Sequence, residues 1–375
     1  MKVSASLCVV AALSAAFCLG LPEQAFAAPF KIDHHLPSTP ETVNGHWWAG
    51  AKPALRIKSG EVVEIDTVSL GGFTDDNPEK FFIDQGISPD LPVVKELIAI
   101  KKAIVADPAS KGQAVNLTGP IFIEGAMPGD VLEVRILAIK SRLPYGVNSG
   151  RPGGGGVPDL VPRPYSKVIK LDLKRNVGLF SDTIEVPLRQ FMGKVGVSPV
   201  LEKGKLHTSP PYQETGGNYD NKYATTGTTF FFPVQVEGAL FQTGDPHAAQ
   251  GNGEVSGSAI ESSDTVVMQF FLRKDMKLKY PRMETPTHFI AIGVDPDLDK
   301  AMHTAIAETI TFLQEWRKLD FFDSLALASV AVDYETTQVV DGTKGIHGMI
   351  PKSIFKDYKP ESYWFKPADV PEGWH

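Results

Sequence analysis

Short runs of alternating apolar and polar residues, each ended by glycine, proline or aspartate, fill most of this 375-residue chain. The run over 61–68 has the period of two that a half-buried antiparallel strand requires. The sequences KSGE at 58–61 and MPGD at 127–130 place a glycine where a tight turn needs positive φ. Residues 42–140 are therefore predicted to form a β-sandwich or barrel.

Helical periodicity is confined to three segments. A short helix is predicted over 92–105, and a longer amphipathic helix over 298–319, where Met302, Ile306 and Ile310 share one face. A further helix is predicted over 323–332, so the chain should be mainly β with a C-terminal α/β portion. The remaining strands are predicted over 54–58, 121–124, 131–139, 166–173, 183–188, 264–272 and 288–294.

The first 27 residues have the form of a secretory signal peptide. Lys2 precedes an apolar run over 3–21, and the sequence AFA at 25–27 has the small-x-small pattern that signal peptidase reads. We expect cleavage after Ala27 and export to a bacterial periplasm. The alternatives are a buried N-terminal helix or a membrane anchor, which the proline and glutamate directly after the run disfavour.

Composition excludes several classes of function. Both cysteines, Cys8 and Cys18, lie in the predicted signal peptide, so the mature chain should form no disulfide and use no thiol nucleophile. A net charge of −7 and the lack of a basic patch argue against nucleic acid as a partner. No later apolar run is long enough to span a bilayer, so we expect no membrane association after cleavage.

The chain divides into four predicted parts. After the signal peptide, 28–145 is predicted to be an N-terminal β-rich domain, 146–262 a β-rich portion carrying a polar cluster, and 263–375 a C-terminal α/β portion. A glycine-rich stretch over 146–159 begins the middle part. It is interpreted as a mobile loop or lid near a pocket, because the lysine and following helix of a phosphate-binding loop are missing.

The polar cluster lies in the sequence GDPHAAQGNGE at 244–254. Asp245 and His247 are two residues apart and can present their side chains to one side, and the glycine-rich bend can return Glu254 toward them. Such a trio can hold a divalent ion with one position left for water. The alternative is an Asx-turn with a surface histidine and a solvated glutamate. Gln250 and Glu261 are further candidates in the same stretch.

Polar residues upstream add to this cluster. His207, Asn218 and Asp220 lie on loop-like sequence, where polar groups are frequently functional, although His207 can also cap a turn and Asn218 suits a left-handed turn position. The chain has no G-x-S-x-G motif, and no serine–lysine amidase signature was found. Activation of water is therefore favoured over a nucleophilic side chain.

Several separated blocks of this sequence resemble the acetamidase/formamidase family. The blocks occur in the expected order and are TGPIFIEGAMPGDVLEVRIL at 118–137, GVSP at 196–199, the stretch over 209–261, METPTHF at 283–289 and AVDYETTQVVDGTKGIHGMIPK at 331–352. The resemblance implies hydrolysis of the carbon–nitrogen bond of small linear amides. It also implies a jelly-roll-like sandwich, a small β-barrel and an α/β unit, together with a bound zinc or calcium ion.

The resemblance carries over to individual positions and also has departures. Asp220, Asp245, His247, Gln250 and Glu254 stand where the family has its polar residues. Where family members carry a histidine before the 118–137 block, this chain has a valine and an asparagine. The block NGHWWAGAKPAL at 44–55 makes His46 a further candidate, and the glycine-rich insertion is a third difference.

These observations give one hypothesis and one rival. The hypothesis is a divalent ion, zinc before calcium, held by Asp245, His247 and either Asp220 or Glu254. Glu254 is the general base, and Asn218 or backbone N–H groups of the glycine turns are the oxyanion donors. The partner is a small amide. The rival is an exported binding or structural protein with the same fold and a metal or ligand site but no turnover. The apolar run over 230–232 and the helix over 298–319 are candidate contacts in a homo-oligomer. The alternative is that both belong to the ordinary core.

Overall fold

Strand ladders dominate the computed structural model, which describes residues 30–70, 77, 79–106, 116–367, 370, 373 and 374. The predicted signal peptide over 1–27 lies outside the described residues. The helices are α1 (Lys80–Asp84), α2 (Pro92–Ala106), α3 (Leu298–Arg317) and α4 (Phe321–Ala331). The strands are β1 (His34–Leu36), β2 (Val43–Asn44), β3 (His46–Trp47), β4 (Leu55–Ile57), β5 (Val62–Asp66), β6 (Leu117–Ile123), β7 (Val131–Ser141), β8 (Tyr145–Gly150), β9 (Tyr165–Asp172), β10 (Val177–Ser181), β11 (Ile184–Pro187), β12 (Phe191–Gly196), β13 (Leu206–His207), β14 (Pro211–Tyr212), β15 (Gly216–Asn218), β16 (Thr229–Pro233), β17 (Phe241–Ala249), β18 (Ile260–Glu261), β19 (Asp264–Arg273), β20 (Arg282–Glu284), β21 (His288–Asp295), β22 (Asp333–Gln338) and β23 (Lys344–Pro351).

Two large sheets organise these strands. One has nine strands in the order β1-β5-β19-β7-β16-β20-β21-β23-β22. The other has twelve, with the path β11-β10-β9-β8-β18-β17-β12-β15-β14 and with β6 joining β17 to β2 and β4. A two-stranded ladder pairs β3 with β13. Most neighbours are antiparallel, with β1–β5 and β4–β6 as parallel exceptions.

The largest hydrophobic core contains side chains from both large sheets. Ile65 and Ile136 from the nine-stranded sheet belong to the same buried cluster as Phe191 and Phe241 from the twelve-stranded sheet. Phe232, on β16, is fully buried there as well, so the phenylalanine run over 230–232 is largely core. Burying apolar faces between two sheets is what holds such layers together.

Helices α3 and α4 confirm the predicted C-terminal helical pair. Asp297 caps α3 by accepting hydrogen bonds from the backbone N–H groups of Asp299 and Lys300, and the helix ends at Lys318 in the left-handed conformation. Leu313 lies on the buried apolar face of α3. Among the described residues, no helix is long and apolar enough to cross a membrane.

The prediction of a mainly β chain with a C-terminal α/β portion is confirmed. Helix α2 also forms where it was predicted, with one residue more at its end. Strands from 28–145, 146–262 and 263–375 all join the nine-stranded sheet, so hydrogen bonds cross each proposed boundary. The division into separate domains stays a prediction.

Candidate functional site

Strand β17 carries Asp245 and His247, and its nine residues are all buried. The Nε2 atom of His247 lies 3.7 Å from the Oδ1 atom of Asp245, so both side chains face the same space, as the two-residue spacing predicted. A ladder irregularity between His247 and Ala249 ends regular pairing with β18. The sequence GDPH is therefore a buried strand and not a surface turn.

The glycine bend after β17 returns the chain to this space. Glu254 closes the bend through its N–H, which donates to the Gly251 carbonyl at 3.2 Å. The bend is fixed from outside, because the Gly253 N–H donates to the Thr337 carbonyl at 2.9 Å and the Val339 N–H donates to the Gly253 carbonyl at 3.1 Å. The end of β22 thus holds the loop that carries Glu254.

Strand β12, which pairs with β17, supplies a lysine and a glycine. Lys194 is buried, and its Nζ lies 3.0 Å from the Oδ2 of Asp245 and donates to the Oδ1 of Asn116 at 3.0 Å. Asn116 in turn donates to the Oδ1 of Asp245 at 2.7 Å. At Gly193 a Cβ would come 2.5 Å from the Oδ1 of Asp220, so only glycine leaves room for that carboxylate.

Asn218 links two further carboxylates. Its Nδ2 donates to the Oδ2 of Asp220 at 2.5 Å and to the Oδ2 of Asp341 at 2.7 Å. Both amide hydrogens are therefore directed at acids, which suits orienting carboxylates more directly than the predicted oxyanion role. That role stays a prediction.

Six side chains form three overlapping groups that could hold a metal ion. In each group the donor atoms lie within 4.8 Å of one another. The groups are Asp220, Asp245 and His247; His247, Glu254 and Glu261; and Asp220, Glu254 and Asp341. Carboxylates with one imidazole are a donor set that suits zinc, and the oxygen donors alone suit calcium.

Several buried polar atoms in this cluster have no hydrogen-bond partner among the described residues. They are the Oδ1 of Asp220, the Nε2 of His247, the Oε2 of Glu254 and the Oδ1 of Asn218. An unpaired buried polar atom costs about 1–3 kcal/mol, and a charged one costs more. A bound cation would satisfy the acceptors among these atoms, so the side chains fit the metal that the family resemblance implies.

Three of the seven non-glycine residues with positive φ in the described part of the chain are acids of this cluster. Asp220, Asp245 and Glu254 have φ values of 47°, 55° and 45°, in the left-handed region that side chains rarely adopt. Each such residue costs of order 1–3 kcal/mol and persists only where the surrounding structure fixes it, which is frequent at functional sites. The strain therefore sets this cluster apart from an ordinary group of surface acids.

Lys194 and Asp245 hold each other in the charged form. Burial opposes the charge of Lys194, but Asp245 and Asp220 outweigh it and raise the lysine pKa. Burial would raise the pKa of Asp245, yet Lys194 and His247 hold that pKa below its ordinary value. Asp245 is thus an anchored anion whose two oxygens already have partners.

The other acids lack such a partner. Burial, followed by the neighbouring Glu254 carboxylate, raises the pKa of Asp220 well above its ordinary value. Burial also raises the pKa of Glu254 well above its ordinary value and raises the pKa of Asp341 to about 6. These carboxylates would each gain from a nearby cation.

His247 is oriented by its neighbours. Its Nδ1 lies 3.0 Å from the Oε1 of Gln250, whose Nε2 donates to the Asp220 carbonyl at 2.7 Å, and its ring packs edge-on against Phe191. An Nδ1–H donated to Gln250 leaves Nε2 directed at the acids, with Glu261 Oε2 at 3.3 Å. Burial lowers the His247 pKa, but Glu261 and Asp245 reverse this and raise the pKa well above its ordinary value.

The cluster faces a cavity of about 440 Å³. Asp220, Asp245, Glu254, Glu261 and Asp341 all line it. A substrate in this cavity would therefore reach the donor atoms directly. The segment over 146–159, predicted as a loop, instead continues strand β8 as far as Gly150, because it pairs with β9, and it contributes to the wall through Ser149 and Arg151.

Two predicted candidates lie elsewhere. His46 and His207 pair with each other in the ladder between β3 and β13, and neither belongs to a donor group among the described residues. The His207 Nδ1 accepts the Ser209 N–H at 3.1 Å, which is the turn-capping role that was its alternative. The structure thus brings together the other predicted residues, including Gln250 and Glu261, but not these two.

Three residues of the site were not predicted. Asn116 directly precedes β6, Lys194 lies on β12 and Asp341 lies in the loop after β22, so the three are far apart in sequence. Lys194 lies in an apolar strand, which gives a weak signal for a buried charge. Asp341 falls inside the 331–352 block, whose match was the available signal.

Comparison with known proteins agrees across sequence and structure. The model of the Acetamidase/Formamidase family matches residues 200–357. The acetamidase of Mycolicibacterium smegmatis is 28% identical, with 53% of this chain and 69% of that protein covered. The formamidase of Methylophilus methylotrophus is 25% identical, with 67% and 79% covered.

A solved structure extends the likeness to almost the whole fold. The crystal structure of acetamidase from Bacillus halodurans has a TM-score of 0.70 and 27% identity, and covers 88% of this chain and 100% of that chain. The matched family region includes Asp220, Asp245, His247, Glu254 and Asp341. This chain is therefore similar in sequence and in fold to members of the acetamidase/formamidase family.

Proposed function

We propose that this protein hydrolyses the carbon–nitrogen bond of small linear amides, releasing a carboxylate and ammonia. The names of its relatives, acetamidase and formamidase, support the reaction class. The observation that carries the proposal is the set of buried, unpartnered atoms on Asp220 and Glu254 in the wall of one cavity, with that of His247 in the same donor groups. Such a cluster is costly to maintain unless it binds something.

The side chains that would hold a divalent cation are Asp220 and His247, with Asp245 as the third. Zinc is the expected ion because an imidazole takes part, and calcium is the alternative. When bound, such an ion polarises an amide carbonyl and makes water a stronger nucleophile near neutral pH. Lys194 and Asn116 fix Asp245, and Gln250 fixes the His247 ring.

Glu254 is the proposed general base. It accepts a proton from the attacking water and passes it to the departing nitrogen, so that the C–O bond forms, the C–N bond breaks and ammonia leaves. Its Oε2 atom has no partner among the described residues and is therefore available for a proton. Burial favours the protonated form, which suits the second half of this transfer.

We also propose that the protein acts after export. The sequence over 1–27 supports this, with Lys2, the apolar run and the AFA sequence before the expected cleavage point. Fractionation of the source cells followed by N-terminal sequencing of the mature protein tests it. A cytoplasmic protein that retains residues 1–27 would contradict it.

The test of the enzymatic proposal combines metal analysis with ammonia release from formamide, acetamide and propionamide. His247→Ala and Asp220→Asn should lose bound metal and turnover, whereas His303→Ala, at an exposed histidine on α3, should keep both. Full metal content and turnover in both site variants would overturn the mechanism. Bound metal without release of ammonia from any amide would favour the rival, a binding protein.

A further inference from the structure

The cavity in front of the acid cluster is larger than formamide or acetamide requires. Its volume is about 440 Å³. At about 30 Å³ for a water-sized group, the four heavy atoms of acetamide occupy roughly 120 Å³. Space therefore remains for a longer molecule whose amide end reaches the cluster.

Charge is unevenly distributed around this cavity. Its five acidic residues all belong to the donor groups, and Lys194 is committed to Asp245. The remaining charged side chains of the wall are two cations, Lys101 on α2 and Arg151 just after β8. Arg151 is exposed and makes no ion pair with any described carboxylate. A guanidinium in a cavity wall without a carboxylate partner is available to an anionic ligand.

Arg151 also lines a second cavity of about 220 Å³. The two cavities share Ser149, Arg151, Gly257 and Asp341, so one arginine borders both spaces. Ser149 and the glycines of the 153–156 turn add short polar and backbone groups to this end. The second space thus extends the first at the position of the guanidinium.

The segment that carries Arg151 is tied to the segment that carries the acids. Asn148 donates through Nδ2 to the carbonyls of Ser258 and Ala259, at 2.8 and 3.0 Å. On the other side of Arg151, the Gly156 N–H donates to the Val255 carbonyl at 2.8 Å. The spacing between Arg151 and the acid cluster is therefore set by backbone contacts on both sides of the arginine.

We propose that the substrate is a linear amide with a carboxylate at its far end, which Arg151 binds while the amide lies at the acid cluster. This inference rests on the proposed amide hydrolysis. Water adds to the amide carbon, the C–N bond breaks and ammonia leaves, so the product is a dicarboxylate. Arg151 binds the group that does not react and is therefore a specificity-determining residue.

The acids impose a length requirement on such a substrate. A carboxylate close to the cluster would be a sixth carboxyl group beside five that share one lysine, and Asp341 borders both cavities. Monoamides with two or three carbons between amide and carboxylate should therefore be better substrates than the monoamide with one. A neutral amide of the same length gains nothing from Arg151.

The experiment compares kcat/KM for succinamate and for butyramide, its neutral analogue of similar length, in the metal-loaded protein. Succinamate should be favoured at least about tenfold, since a charge-assisted pair contributes about 1.5–3 kcal/mol. Arg151→Gln should lower that preference by about 10- to 100-fold, mainly through KM, and Arg151→Lys should lower it less. Arg163→Gln, at an exposed arginine of the same segment outside both cavities, should leave the preference unchanged.

Equal kcat/KM for the two amides, or an unchanged preference in Arg151→Gln, would overturn the inference while leaving amide hydrolysis intact. If no amide is hydrolysed, the proposed function fails, and calorimetry with succinate then tests the carboxylate subsite directly. Binding that is weakened in Arg151→Gln but not in Arg163→Gln would support the subsite. Equal or undetectable binding in all three proteins would reject it.

Discussion

Two buried charged regions of this molecule are built in opposite ways. Lys352 is buried, and its Nζ lies 2.7 Å from Glu284 Oε1, 2.6 Å from the Thr285 carbonyl and 3.9 Å from the ring centre of Tyr363. The Lys352 ammonium pairs with the Glu284 carboxylate, and its remaining protons point at the Thr285 carbonyl and at aromatic rings. The acid cluster instead brings five carboxylates around a single lysine and leaves acceptors unpaired.

Lys352 is a charge that stabilises the fold, whereas the acid cluster carries charges that suit ligand binding. A buried pair with its hydrogen bonds made is a structural device, and removing one partner is what costs stability. A cluster with an excess of one sign gains stability only when an opposite charge arrives. Neutralising one charged side chain should therefore lower the stability of the fold at the Lys352 pair but not at the acid cluster.

The largest effect is expected for Glu254→Gln. Amidase turnover should fall by about 10²- to 10⁴-fold, because the group that transfers the proton is lost. The metal-free variant should be at least as stable as the wild type in urea, since a buried acid without a counter-ion has been neutralised. Full turnover would remove Glu254 from the mechanism, and a loss of more than about 2 kcal/mol in unfolding free energy would make it a structural residue.

For Lys352→Met we expect lower stability without a change at the acid cluster. The unfolding free energy should fall by about 3–5 kcal/mol, because Glu284 keeps its charge and loses its partner. Metal content and KM should not change in the folded fraction. A double variant with Glu284→Gln should recover most of the loss in denaturant titrations. If the double variant is no more stable than the single one, aromatic packing and not the ion pair is the main contribution.

Asp264 extends the comparison to a buried acid outside the donor groups. Burial raises its pKa from 3.8 to about 7, and its Oδ1 has no partner among the described residues. A raised folded-state pKa means that the stability contribution is complete below about pH 4 and is lost as pH rises through 7. From pH 5 to pH 8 the wild type should lose up to about 3 kcal/mol relative to Asp264→Asn.

Urea unfolding at the two pH values measures this difference. Asp182→Asn, at an exposed aspartate, is the control and should follow the wild type. Parallel pH dependence in Asp264→Asn and the wild type would mean that Asp264 keeps an ordinary pKa.

The smallest of the four effects is expected for Gln250→Ala. In the described part of the chain, Gln250 contacts the proposed metal site through the His247 ring and the Asp220 carbonyl. Loss of such an orienting contact typically weakens metal affinity or activity by 10- to 100-fold. Competition with a chelator measures the change, and Gln314→Ala on the exposed face of α3 is the matched control. Unchanged affinity would show that the Asp220 and His247 geometry does not depend on Gln250.

Local pattern was sufficient for the three longer helices and for several strands of both large sheets. The helices α2, α3 and α4 and the strands β5, β7, β19 and β21 form where periodicity predicts them, within two residues at each end. Strand β17 was not predicted, because glycine and proline in GDPH indicate a turn. Gly244 is there for a different reason: a Cβ at this position would clash with the Asn116 carbonyl on neighbouring β6.

For the site, the short-range relations were predictable and the long-range ones were not. The common orientation of Asp245 and His247 and the return of Glu254 follow from spacing and a glycine bend. The approach of Lys194 and Asp341 depends on strand pairing between distant segments, which one sequence does not encode locally. Asn116, a mismatch to the family pattern, proves to hold Asp245.

The positions of the site residues along the sequence also determine at what point of chain synthesis the site can form. Its members run from Asn116 to Asp341, and the bend that carries Glu254 is held by Thr337 and Val339. A ribosome must therefore have synthesised the chain through Asp341 before the cluster can close. Until then the side chains that the proposed metal binding and amide hydrolysis require are not all present, so we expect a nascent chain to be inactive.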